Sequence, residues 1–342
     1  MDCSVRIKRV KALSFLLPGG GSVRLDIPEN LNQNAMSAVR FNDYAVIPMA
    51  AGRSVAESEL VRLKKSGDVV GYLIPGQAIF SAENPNNSDP MFGAYSLIAA
   101  INICAQSYEN KYSLASDDCG SATSADGIFL QGRFYAVVWL RKLKASEVEF
   151  ANRYFVSFAK VGLYPNRANL APRESAVTSE IYREVRLVAN KEWPDYVREI
   201  MVGLSPFSEN CFLRFFYLYQ IIESLMSQNY YVRFEEIRGR LSSQVGVSLV
   251  QLRDYIEEFQ GISKEKPRIK AALNPICAAS NQIAESILTS LGESFVGLDF
   301  GENIYRVRNI IFHDYQRIRH LEADVALLVE SLTSYILDTK LS

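Results

Sequence analysis

The chain has 342 residues, 48% of them hydrophobic and 22% charged, with a formal net charge of −1. That composition suits a globular protein of one large or two ordinary domains, and it excludes both a disordered chain and a broadly basic surface that grips nucleic acid over a whole face. The five cysteines (Cys3, Cys104, Cys119, Cys211, Cys277) are odd in number and never spaced C-x-x-C, which argues against a disulfide framework or a thiolate zinc site and for reduced thiols in a cytoplasmic protein.

The start, "MDCSVRIKRVKALSFLLPGGG", has the basic-then-apolar order of a leader, but its uncharged run is short and no small-residue cleavage site follows. It reads as a strand entering a turn. No stretch approaches the ~18 apolar residues of a membrane span, so no membrane association is expected. "SVRIKRV" and "SVRLDI" alternate apolar and polar residues on either side of "PGGG", which is a hairpin pattern; no Lys-Ser/Thr follows the glycines to make a phosphate cradle.

Further along, "SVAESELVRLKKSG" (54–67) predicts a short helix, with Ser54 as N-cap and Glu57 completing a capping box. "DVVGYLI" (68–74) predicts a strand, and "YSLIAAINICAQS" (95–107) a buried helix. A Ser/Asp/Gly loop follows, in which Asp117, Asp118 and Asp126 are turn residues. The β-branched and aromatic run "GIFLQGRFYAVVWLRKL" (127–143) predicts a central strand. Residues 1–170 are therefore expected to form an α+β domain without a recognisable catalytic constellation.

"LYPNRANLAPRES" (163–175) punctuates the chain, and from about residue 177 the periodicity turns helical. We expect a helical connector over 171–205 and an all-α bundle over 206–342, giving an α+β chain overall. The helical segments begin with "VTSEIYREVRLVANKEW". "NCFLRFFYLYQIIESLMSQN" is apolar around most of its circumference and must be covered on more than one side, by its own bundle or by a partner subunit. "RFEEIRGRLSSQ" carries Arg233, Arg238 and Arg240, which could supply RNA-backbone contacts, but Glu235 and Glu236 beside them favour a solvated mixed-charge face. "SLVQLRDYIEEFQG", "NPICAASNQIAESILTSLG" and a last long segment from residue 302 to 338 complete the bundle.

In that last segment Ile304, Val307, Ile311, Ile318, Leu321 and Val325 recur at three or four residues, with one wider step that Asp314 or Tyr315 must bridge. The opposite side carries Arg306, Asn309, His313, Arg317 and His320. Such a stripe is either a solvated polar face or a site. The chain has only two histidines, so a histidine-rich metal site is not expected, and no cofactor motif is present.

"RNIIFH" (308–313) resembles the R-x4-6-H signature of the HEPN superfamily, with the polar Asn309 directly after the arginine. "FLRFFYLYQIIESLM" is similar to the aromatic first helix of several HEPN branches. The resemblance covers roughly residues 209–337 and implies an HEPN-like helical bundle. It further implies a metal-independent endoribonuclease working at a homodimer interface, in a toxin or phage-defence setting, with the N-terminal half binding a trigger or an inhibitor. The alternative is a non-catalytic HEPN-like scaffold that binds RNA or protein.

The residue types suit RNA transesterification, where a 2′-hydroxyl loses a proton, the phosphate gains charge and the 5′ oxygen is protonated. Histidine, with an unperturbed pKa of about 6.5, is the side chain that both accepts and donates near neutrality, so His313 is the candidate general acid or base. Arg308 is the candidate for stabilising charge on the phosphate. Asn309, one turn from His313, is placed to orient the imidazole or bind a phosphate oxygen. Glu223, a carboxylate in an apolar helix, needs a partner such as Arg308, either as a fourth site member or as a structural ion pair. His320 lies outside the resemblance and defaults to a surface histidine.

Overall fold

The computed structural model describes residues 12–16, 22–26, 43–51, 60–76, 112–113, 134–165, 184–244, 246–294 and 297–341, with positions 78, 92, 95, 96, 98 and 99. The fold is α+β. The chain divides into two compact units, Met1–Glu192 together with Ser342, and Trp193–Leu341. The division falls inside the 171–205 stretch.

The first unit is built on strands. β1 (Ala12–Leu16) and β2 (Ser22–Asp26) pair antiparallel, and β6 (Tyr112–Ser113) adds to β1; the "PGGG" residues lie outside the described residues. A six-stranded sheet runs in the order β8-β3-β7-β5-β4-β9, with β3 at Tyr44–Ala51, β4 at Val61–Lys65, β5 at Asp68–Pro75, β7 at Phe134–Trp139, β8 at Leu163–Pro165 and β9 at Glu184–Arg186. All its pairings are antiparallel except β4 with β9. The strand read in 68–74 is β5, and β7 is interior, as its unbroken apolar run requires.

β7 is followed by a helical turn, α1 (Leu140–Leu143), and by α2 (Glu147–Ala159). Phe150, Tyr154 and Phe158 of α2 pack on one sheet face with Ile47, Leu63, Leu73 and Ala136. Gly71 of β5 faces β7 with no room for a side chain: a Cβ there would lie 2.4 Å from the Val137 carbonyl oxygen.

Four expectations in this unit are corrected. Residues 61–65 are strand β4 rather than the end of a helix, because Val61 and Leu63 alternate with Arg62 and Lys64, and the Ser66-Gly67 turn, with both φ angles positive, closes a hairpin onto β5. Ser54 and Glu57 lie outside the described residues, as do Asp117, Asp118 and Asp126. The 127–143 run ends as a strand at Trp139 and turns helical at Leu140. Leu163–Pro165 is an edge strand, not linker. Residues 184–186 are strand β9, where buried Val185 sits between exposed Glu184 and Arg186, a two-residue period hidden in a sequence that also scans as helix.

The second unit is helical: α3 (Asp195–Glu199), α4 (Cys211–Ser243), α5 (Leu249–Ser263), α6 (Glu265–Ala272), α7 (Ala278–Ser290), α8 (Phe300–His313), α9 (Tyr315–Ile318) and α10 (Glu322–Tyr335). α4 is one continuous helix, where the sequence suggested two, and spans about 50 Å. Its first half is buried on several sides through Phe212, Phe215, Leu218, Tyr219, Ile221 and Ile222, packed against α6 and α10. Beyond Met226 only Ile237 among its residues is buried. There Arg233, Arg238 and Arg240 pair with Glu236, Glu235 and Glu258, the mixed-charge face the sequence indicated.

The last segment is not one long helix. α8 stops at Asp314 (φ −143°, ψ 51°), and α9 and a 3-10 turn intervene before α10. This break is the wider step in the apolar pattern. Ile304, Val307, Ile311, Ile318 and Val325 are buried as expected, whereas Leu321, on the 3-10 turn, is only partly so; Tyr315 is 48% exposed and packs edge-on against Phe212 of α4, ring centres 5.0 Å apart.

Candidate functional site

α8 is anchored at its start. Asp299 accepts a hydrogen bond from the Glu302 N–H (3.0 Å), and the Glu302 carboxylate accepts from the Asp299 N–H, a full capping box. Lys270 and Lys266 of α6 pair with Asp299 and Glu302, both at 3.0 Å. Burial works against charge on Asp299, but the hydrogen bonds from Glu302 and Lys270 outweigh it and hold its carboxyl below the ordinary value. One side of α8 is sunk through Asn303, Ile304, Val307, Ile310 and Ile311, which fixes how the other side is presented.

On that other side Arg308 reaches across to α4. Its Nη2 lies 3.7 Å from Glu223 Oε1, the pairing expected of a carboxylate in an apolar helix. Its Nη1 donates to Asn309 Oδ1 at 3.1 Å. The guanidinium is packed between two rings, with Cζ 5.2 Å from the centre of Tyr219 and 4.6 Å from that of Phe312. Gln220 Nε2 donates to the second Glu223 oxygen at 3.2 Å. Ion pair, amide and ring contacts together hold the guanidinium against α4, with both terminal nitrogens engaged within the chain and Nε buried without a partner among the described residues.

His313 is the last residue of α8 and is exposed. Among the described residues its imidazole has no hydrogen-bond or ion-pair partner, so it is free to meet another molecule. Arg308 and His313 are five residues apart and so point about 140° apart around the axis. The Asn309 amide is turned to Arg308 rather than to His313.

The structure thus gathers Arg308, Asn309 and Glu223, and leaves His313 open at the end of the same helix. The remaining stripe residues do not join them. Arg306 and Arg317 both pair with Glu293, at 3.8 and 2.9 Å, and His320 lies beyond the break on the 3-10 turn. Sequence reasoning missed Tyr219 and Phe312 as partners of Arg308, although each sits four residues from a site member, Tyr219 from Glu223 and Phe312 from Arg308, the spacing that brings helical side chains together. Burial pushes the Tyr219 hydroxyl above its ordinary value despite the opposing pull of Arg308, so it stays protonated and acts through its ring.

Among the described residues no group of three or more His, Cys, Asp or Glu side chains is placed to hold a metal ion, and no helix is long and apolar enough to cross a membrane. No family model matches the chain, and neither a curated protein nor a solved structure matches it.

Proposed function

We propose that the C-terminal unit is an HEPN-type endoribonuclease that cleaves RNA by metal-independent transesterification. The observation that carries the reading is a guanidinium held by Glu223, Asn309 and two rings on the same helix that ends in an exposed His313 with no partner among the described residues. On this reading Arg308 takes the phosphate and offsets its developing charge. His313 takes the proton from the 2′-hydroxyl or returns one to the departing 5′ oxygen, leaving a 2′,3′-cyclic phosphate and a 5′-hydroxyl. Glu223 holds the arginine and Asn309 limits its swing. Because Arg308 and His313 diverge around one helix, the scissile phosphate is met by residues of two copies, in a homodimer formed through the helical unit.

The resemblance also motivates a toxin or phage-defence role in the cytoplasm, with the N-terminal unit receiving a trigger or an inhibitor. A second reading, a non-catalytic binding protein, draws on the fact that the guanidinium is already engaged within the chain. One experiment separates them. Purified wild type, His313→Ala and Arg308→Ala are incubated with end-labelled single-stranded RNA in the presence of a metal chelator. Cleavage by the wild type alone, with cyclic-phosphate ends, is the expected result; equal cleavage by His313→Ala, or none by any form in the dimeric state, overturns the nuclease.

A further inference from the structure

A second polar feature of the helical unit lies away from the Arg308 cluster. A cavity of about 500 Å³ opens between the middle of α4, the end of α5 and α6, within the size range of small-ligand sites. Its charges do not cancel. Arg233 and Glu236 pair with each other along α4 at 2.9 Å, which leaves Arg268 of α6 as the net positive charge of the lining.

Arg268 is half-buried, and its Cζ lies 5.3 Å from the centre of the Tyr230 ring. Among the described residues it has no carboxylate partner, and its buried Nε has no hydrogen-bond partner. That Nε is sealed from the cavity, so what Arg268 offers an anion there is the charge carried by the part of its half-buried side chain that lines the cavity. A single uncancelled positive charge matches a monoanion, which is the charge of a phosphodiester. The remaining lining suits a nucleobase: Ile262 and Ala271 are apolar, and Asn229 and Asn274 each offer amide donors and acceptors, the groups that read base edges. Tyr230 is seven residues beyond Glu223 on α4, about 10 Å along the helix, so one short RNA segment can span from the Arg308 cluster to the cavity.

We infer that this cavity is a nucleotide subsite for single-stranded RNA, with a phosphodiester on Arg268, the base against Ile262 and Ala271, and its edge read by Asn229 and Asn274. The inference rests on the reading of the chain as an RNA-acting protein and names where the substrate strand is held beyond the cleavage site.

The test uses the full chain carrying His313→Ala, so that the RNA stays intact, and follows binding of a fluorescent 12-nucleotide single-stranded RNA by anisotropy at several salt concentrations. Arg268→Gln is expected to weaken Kd about tenfold, the effect of losing one charge-assisted contact, and to lower the slope of log Kd against log salt by about 0.7. Asn229→Asp breaks no side-chain hydrogen bond among the described residues and puts a negative charge into the cavity, so it should weaken binding as well. It keeps the site testable should Arg268→Gln fold poorly. Unchanged Kd and slope in both variants would overturn the subsite. If the cavity variants weaken RNA binding while the wild type cleaves nothing, the nuclease falls and the subsite stands. If the wild type cleaves through His313 while both variants bind and cleave normally, the subsite alone falls.

Discussion

Arg308 on α8 and Glu223 on α4 form an ion pair at 3.7 Å that joins the two helices on which the candidate site is built. The two side chains are 23% and 40% exposed, so water screens the pair and its contribution to stability should stay below about 1 kcal/mol. Its value to the molecule is orientation. Glu223→Gln should leave the thermal midpoint within a few degrees of wild type, and on the proposed nuclease reading it should lower RNA cleavage about tenfold, because the guanidinium would be less firmly held. Arg308→Ala should lose about 10²- to 10³-fold, the range for removing one donor to a developing anion. Arg308→Lys should not rescue it, because an ammonium lacks the planar fork. Thermal scans and single-turnover cleavage rates check all three.

Tyr219 offers a separation of ring from hydroxyl. The residue is fully buried, and its hydroxyl has no hydrogen-bond partner among the described residues, while its ring packs against the Arg308 guanidinium. Removing an unsatisfied buried hydroxyl relieves a desolvation cost, so Tyr219→Phe should match or exceed wild-type stability, by up to about 1 kcal/mol, with cleavage unchanged. Tyr219→Ala should cost about 3–5 kcal/mol through the cavity it leaves, and should reduce cleavage in whatever protein still folds. A marked loss of stability in Tyr219→Phe, measured by urea unfolding, would show that the hydroxyl is satisfied after all.

Much of this arrangement was legible where a single period rules the chain. The strand 68–74, the bundle helices and the Glu223–Arg308 pairing all follow from periodicity, or from the need of a carboxylate in an apolar helix for a cation. Elsewhere local signals pointed one way and tertiary pairing another. Residues 61–65 lie inside the stretch read as helix, but β5 and β9 recruit them into the sheet, and 184–186 enter the same sheet by a parallel pairing that their short two-residue period does not by itself announce. α2 was overlooked although Ser146 and Glu149 form a capping box that is readable as S-x-x-E. The stop at Asp314 has no proline or glycine to mark it; its trace was the wide apolar step from Ile311 to Ile318. The placement of Arg308 between Tyr219 and Phe312 depends on how α4 and α8 cross, which no single helix pattern contains.

The capping box of α8 gives a pH-dependent prediction. The Asp299 carboxyl is held below its ordinary value in the folded protein. A lowered folded-state pKa means that its stabilisation is complete above the unfolded value of about 3.9 and is lost as pH falls through the folded value. Asp299→Ala should therefore cost about 1 kcal/mol near neutrality, the usual worth of an N-cap, and the gap to wild type should narrow below about pH 3.9. Urea midpoints at pH 7, 5 and 3 measure it. A gap that stays constant with pH would mean that the charge on Asp299 contributes nothing.

Gly301 tests how closely α6 and α8 must approach. A Cβ at this position would meet the Lys270 nitrogen at 3.0 Å and the Ile269 carbonyl carbon at 3.1 Å, both backbone atoms that cannot swing aside. Alanine is favoured over glycine within a helix by about 1 kcal/mol, so in an open position Gly301→Ala would stabilise the protein. Here the forced separation of two helices should win, giving a net loss of about 1–2 kcal/mol. The consequence reaches both candidate sites, because α6 carries Arg268 and α8 carries Arg308 and His313. Pushing the helices apart should lengthen the Lys270–Asp299 and Lys266–Glu302 pairs, which now sit at 3.0 Å. Gly301→Ala is accordingly expected to lower the unfolding midpoint, to weaken RNA binding and to slow cleavage together, with Gly261→Ala on α5, where an added Cβ meets nothing within 4 Å, as the neutral or stabilising control.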